Sequence, residues 1–263
     1  MIEVTGNHIA TNKIQIKEVF ADDMWYSIPG YQPYVWGKDE IITLLDDISY
    51  AAINQPDNQY FLGSMVLHCQ KKEQYDTDYQ ENSLLDGQQR LTTLFLLHAV
   101  IRDRTDNPTR KRTCHSAIFQ EGNVDYGIPE KTRLEFAVRE EVKDFINEYI
   151  EAENGTQLQE KLEKLVENSN SVSIRNMADA LLIINKWMDN DTSLDIDQLF
   201  PFLSQKVILI YVASAELDDA FRLFTILNDR GIKLRNSDIL KAQNLREVNN
   251  DEKEKKYARF WEA

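Results

Sequence analysis

The sequence predicts a helix-rich α+β fold, a small mixed sheet around one buried central helix with a helical subdomain attached. Three observations carry that expectation. Residues 91–101 are apolar on almost every side, the pattern of a helix enclosed by protein. Two β-rich runs, residues 60–68 and 206–212, lie far apart in the chain, so the sheet is assembled across a long insertion. Between them, three amphipathic helical patterns follow one another.

A chain of 263 residues with 42% hydrophobic content can bury one sizeable core, or two modest ones that share an interface. The first strong periodic signal is a helix after the turn at Trp36-Gly37-Lys38-Asp39, because Ile41, Leu44, Leu45 and Ile48 form one apolar face. Residues 60–68 read as a strand and residues 82–85 as a shorter one, joined by a polar hairpin over 71–78. The buried helix comes next. Residues 105–131 carry Pro108 and Pro129 and read as irregular. The three amphipathic helices carry Val138, Val142, Phe145, Ile146 and Tyr149; then Leu158, Leu162, Leu165 and Val166; then Met177, Leu181, Ile184 and Met188. They place a helical insert at 137–203 within a core made of 1–136 and 204–245. Residues 206–212 are continuous and rich in β-branched side chains, as in a strand covered on both faces. Ala220, Leu223, Phe224 and Leu227 then mark a helix that stops at Gly231, and Asn236-Ser237-Asp238 caps another. Residues 246–263, with Tyr257, Phe260 and Trp261, read as a helical extension toward a further C-terminal effector domain.

The net charge of -14 argues against a general nucleic-acid coat, since sequence-independent affinity comes from a surplus of Lys and Arg facing phosphates. Arg102, Arg104, Arg110, Lys111 and Arg112 form the one basic island, which reads as a solvated helix end and loop or as a local DNA-facing patch. Cys69 and Cys114 have no CxxC spacing, so neither a disulfide framework nor a zinc site is suggested. With no basic-then-apolar leader and no run of eighteen apolar residues, the reading is cytoplasmic, with no membrane partner. GxxxxGK(S/T), HExxH and GxSxG are all missing, and His8, His68, His98 and His115 are scattered. No histidine is assigned to catalysis, and no residue to a resident metal.

Three constellations carry chemistry. Asp86-Gly87-Gln88-Gln89-Arg90 stands where a strand meets the buried helix. A capping box accounts for Asp86 as N-cap and Gln89 three residues on. It leaves Arg90 unexplained, because a cation in the first turn opposes the helix dipole. An anion between them reverses that sign: Gly87 permits close approach, the free amides point outward, and a guanidinium binds two phosphate oxygens. Asp86 could then position a metal or water, and Gln88 or Gln89 an attacking water. In the second constellation, IPGYQPYVW, Tyr31 and Gln32 are the leading candidates for stacking on bases and reading their edges, with Tyr34 and Trp36 beside them; the competing reading puts Tyr34 and Trp36 in the core. The third is FRLFTILNDRG with Leu234, Asp238 and Lys241, either a helix C-cap followed by an N-cap or a short helix-turn-helix.

IPGYQPYVW, DGQQRLTTL and FTILNDRGIKLRNSDILKA, taken in that order and at those spacings, resemble the N-terminal domain of GmrSD-type, modification-dependent restriction enzymes, a phage-defence family. The resemblance spans residues 14–242. It implies a core similar to the ParB and sulfiredoxin fold whose DGQQR corner binds and hydrolyses a nucleoside triphosphate. Asp86, Gln88, Gln89 and Arg90 would then be catalytic, while Gly87, Asn228, Arg230, Gly231, Asp238 and Lys241 would complete the nucleotide pocket. Magnesium is expected with the nucleotide, from the charge of the substrate. Modified DNA and an attached or associated HNH-type nuclease domain are the implied partners. In one place the chain departs from the family pattern: Gln32 is followed directly by Pro33, where the family's first motif carries an Arg. That departure favours the alternative of a non-hydrolysing module that binds modified DNA or a partner protein.

Overall fold

The structure is a computed structural model and describes residues 2, 9–21, 24–30, 33–74, 77–123, 125, 128–136, 140–190 and 195–228. Its elements in order are β1 (Ala10–Gln15), α1 (Ile16–Val19), β2 (Trp25–Ile28), α2 (Lys38–Asn54), β3 (Tyr60–Gln74), β4 (Thr77–Asp86), α3 (Gln88–Arg104) and α4 (Pro108–Ile118). After the short strands β5 (Phe119–Gln120), β6 (Lys131–Thr132) and β7 (Leu134–Phe136) come α5 (Glu140–Phe145) and a π-helical turn (Ile146–Glu151). The chain then forms a 3-10 turn (Gly155–Gln157), α6 (Gln159–Asn168), α7 (Val172–Asn190), α8 (Ile196–Gln205), β8 (Val207–Ser214) and α9 (Leu217–Asn228). The fold is helix-rich α+β.

Six strands form one mixed sheet in the order β1-β8-β3-β4-β2-β7, and β5 pairs with β6 separately. β8 lies between β1 and β3, antiparallel to the first and parallel to the second, so the late strand enters the middle of the sheet as its β-branched run predicts. It is not covered on both faces along its whole length: Ile210 is 36% exposed. The β3–β4 hairpin is longer than expected, its paired register running from Val66↔Asp86 to Gln74↔Thr77.

α3 is enclosed as predicted, with residues from Leu91 to Arg102 buried along its length. It packs against α4 and α7, and α7 in turn contacts α2 and α6, so one apolar core runs from Ile2 to Ala213 through sheet and helices alike. Side chains alternate across a strand. Met65, Leu67 and Leu84 face this core, while Val66 and Leu85 face the other way and meet Ala220 and Phe224 of α9. α9 therefore covers the opposite face of the sheet.

Residues 105–131, read as irregular, in fact contain α4. Asn107 is its N-cap, accepting from the amides of Thr109 and Arg110 at 3.0 and 3.2 Å, and Pro108 occupies the first turn, where its missing N–H costs nothing. The basic island also changes character. Arg102 is fully buried, donating to the carbonyls of Ile150, Glu151 and Ala152 at 2.7–3.0 Å and pairing with Asp103 at 2.7 Å. Arg104 pairs with Asp189, Arg110 with Asp197 and Lys111 with Glu153. Four of the five cations are paired within the chain, which leaves less uncompensated charge for a DNA-facing patch there.

Candidate functional site

β4 ends at Asp86, Gly87 turns the chain with φ 88° in the left-handed region, and α3 begins at Gln88. A Cβ on Gly87 would lie 3.2 Å from both Met65 Cβ and the Ser64 carbonyl, so glycine is required for conformation and for close approach to β3. The N-cap is Gly87, and no side chain caps the helix. The expected capping box between Asp86 and Gln89 does not form, because Asp86 still belongs to the strand. Among the described residues the first-turn amides of α3 have no side-chain acceptor.

The three polar residues that follow diverge. Gln88 is 3% exposed, and its Nε2 donates to the Leu84 carbonyl at 2.7 Å. Gln89 reaches sideways to the second motif: its Oε1 accepts from the amides of Val35 and Trp36 at 2.7 and 3.2 Å, and its Nε2 donates to the Pro33 carbonyl at 2.9 Å. With both lone pairs of that oxygen engaged, Gln89 cannot orient an attacking water through it. As placed in the structure, Gln89 is engaged by residues 33–36, while Gln88 keeps a buried Oε1 without a hydrogen bond among the described residues.

Arg90 folds back over β3. Its guanidinium lies where a Cβ on Gly63 would be, within 2.7–2.9 Å, and Gly63 has φ 140° at a bulge in the β3–β8 ladder. Among the described residues its one hydrogen bond goes from Nη1 to the Ser64 carbonyl at 3.0 Å. Burial lowers the Arg90 pKa, and the Asp86 carboxylate opposes that change. Burial raises the Asp86 pKa, against the pull of the Gly87 amide and of Arg90. The corner thus holds a partly desolvated cation and a partly desolvated anion at an uncapped helix N-terminus, an arrangement suited to a ligand carrying negative oxygens and a counter-cation.

Tyr34 is 2% exposed, with its hydroxyl 2.8 Å from Thr93 Oγ1. A ring so enclosed cannot stack on a base, which corrects its place among the recognition residues; Trp36 is half-buried and packs on the same core. Tyr31 and Gln32 lie outside the described residues. So do Arg230, Gly231, Asp238 and Lys241, and the side chain of Asn228, whose backbone closes α9. Ala220 and Phe224 of α9 pack on Leu85, the neighbour of Asp86. Sequence reasoning passed over Gly63 and Ser64. An isolated glycine inside a strand is a signal of a bulge or a close approach, and Gly63 carried that signal.

Residues 11–245 match the family model for the GmrSD restriction endonuclease, N-terminal domain. The chain belongs to this family. The match contains all three motifs, the whole of the corner and α9, and a GmrSD N-terminal domain has its role in a restriction system. No curated protein matches the chain. Among the described residues no helix is long and apolar enough to cross a membrane, and no three His, Cys, Asp or Glu side chains gather as a metal cage.

Proposed function

We propose that this GmrSD N-terminal domain is a sensor that binds and hydrolyses a nucleoside triphosphate at the Asp86–Arg90 corner and so gates an attached or associated nuclease domain. The observation that carries the reading is Arg90, a partly desolvated cation in the first turn of a helix, with one protein hydrogen bond and its other donors unused among the described residues. Left alone it opposes the helix dipole; a phosphate turns that repulsion into two favourable contacts.

In this reading Arg90 and the amides of the first turn hold phosphate oxygens, while Gly63 leaves room for the guanidinium and Gly87 lets the corner pack against β3. Asp86 is suited to a magnesium ion carried by the nucleotide, because such an ion keeps water and phosphate as most of its ligands and takes one or two carboxylates from the protein. Magnesium bound there would neutralise the phosphate charge that develops during transfer. Asn228, Arg230, Gly231, Asp238 and Lys241 would close the pocket from the end of α9, and Tyr31 and Gln32 would read modified DNA. A ParB/sulfiredoxin-like origin of the sheet belongs to the same proposal.

A second reading, a non-hydrolysing module that binds modified DNA or a partner protein and uses the corner only structurally, is favoured by Pro33 standing directly after Gln32. Calorimetric titration with magnesium and each of four nucleoside triphosphates separates the cases. Binding that Arg90→Ala weakens tenfold or more supports a nucleotide corner; equal binding by both proteins, or none by either, removes it.

A further inference from the structure

The segment 33–36 belongs to no strand, yet side chains hold five of its seven backbone polar groups. Gln89 takes the Pro33 carbonyl and the amides of Val35 and Trp36. The Tyr34 amide donates to Ser173 Oγ at 3.2 Å, and Asn176 Nδ2 donates to the Tyr34 carbonyl at 3.0 Å. The Thr93 hydroxyl donates to the Gln89 carbonyl at 2.9 Å, so its single proton is spent and Tyr34 must be the donor in the Tyr34–Thr93 contact. The segment is gripped from two sides, by the first turns of α3 and by the start of α7, whose residues come 139 and 142 positions later in the chain.

We infer that Ser173 and Asn176 are positioning residues of the corner, which act by pressing segment 33–36 against Gln89. Gln89 is the link. Its backbone belongs to the turn whose amides face the corner, and its side chain is fixed only while the segment stays in place. Ser173 is 1% exposed and Asn176 is half-buried, so α7 makes these contacts from within the protein, where a lost partner is not replaced freely by water. Helix α7, read from sequence as part of an insert, thereby supplies one half of the clamp, and movement of α7 would release the side chain of Gln89. The clamp itself stands on geometry alone; its effect on the corner rests on the nucleotide reading.

The test measures hydrogen exchange at the amides of Tyr34, Val35 and Trp36, together with affinity for a magnesium-bound nucleoside triphosphate, in the full chain and in Ser173→Ala, Asn176→Ala and Asn176→Asp. Arg175→Ala, an exposed change on the same turn, is the control. The inference expects exchange at these amides to quicken about tenfold in the three variants, as the loss of one buried hydrogen bond allows, with nucleotide affinity falling by a similar factor and α7 still protected. Unchanged exchange at the three amides would overturn the clamp. Faster exchange with unchanged affinity would keep the clamp and overturn its positioning role. A wild-type chain that binds no nucleotide would remove that role together with the nucleotide reading, while the exchange data still decide the clamp.

Discussion

At the scale of single residues, the corner depends on small side chains beside a large one. Gly63 is tolerant of its φ of 140° and leaves the space that the Arg90 guanidinium fills. Gly63→Ala should cost about 1 to 3 kcal/mol in strain and displace Arg90, lowering the melting temperature and nucleotide affinity together. Retained affinity would mean that Arg90 needs no such seat. His98 makes a separate prediction. It is buried between Phe20 and Phe200, its Nδ1 donates to the Leu94 carbonyl, and burial lowers its pKa from 6.5 to about 4. On acidification the unfolded chain takes up this proton first, so stability should fall as pH drops from the ordinary histidine value towards 4. The loss is bounded at about 3 kcal/mol, and His98→Gln should flatten this part of a stability-against-pH curve measured by urea unfolding. At this scale the sequence was half legible. Motif letters located Asp86, Gly87 and Arg90, but nothing in DGQQR says that Gln89 turns toward residues 33–36, because that choice is made by partners distant in sequence.

At the scale of elements, legibility followed hydrophobic periodicity. α2, α3, α6 and α7 have long apolar faces and were readable, whereas β1 and β2 have six and four residues and give too short a pattern to separate from loop. α4 was hidden because Pro108 was read as a breaker when, after Asn107, it is a helix starter. Replacing Asn107 with Ala should cost about 1 kcal/mol in chemical denaturation, and no change would argue against its capping role. The join between α3 and the π-helical turn is stiffer. Arg102 satisfies three carbonyls there, and Asp103, whose side chain is fully buried, also accepts from the amide and hydroxyl of Thr156. Arg102→Met should therefore cost about 3 to 5 kcal/mol, since it strands a buried carboxylate and three acceptors. A loss below 1 kcal/mol would show that water replaces the guanidinium freely.

At the scale of the whole molecule, charge sets the limits on partners. With a net charge of -14 and most of the basic island held in internal pairs, ordinary duplex DNA should bind weakly and lose affinity steeply with salt. A tight, salt-insensitive complex with unmodified duplex, seen by fluorescence anisotropy, would contradict this. The same architecture puts the described parts of the three motifs of this GmrSD domain on elements that meet around one end of β4: segment 33–36 through Gln89, α3 through its first turn, and α9 through Leu85. That convergence was legible in the sequence only as the order of three motifs, since the pairing of β8 between β1 and β3 that brings α9 back is a long-range choice. The most direct measurement is phosphate release from ATP, GTP, CTP and UTP with magnesium, comparing the wild-type chain with Arg90→Ala, with and without modified DNA. Release from at least one nucleotide that falls a hundredfold or more in the variant is the predicted result; release that the substitution leaves intact, or none under any condition, would contradict a hydrolytic corner.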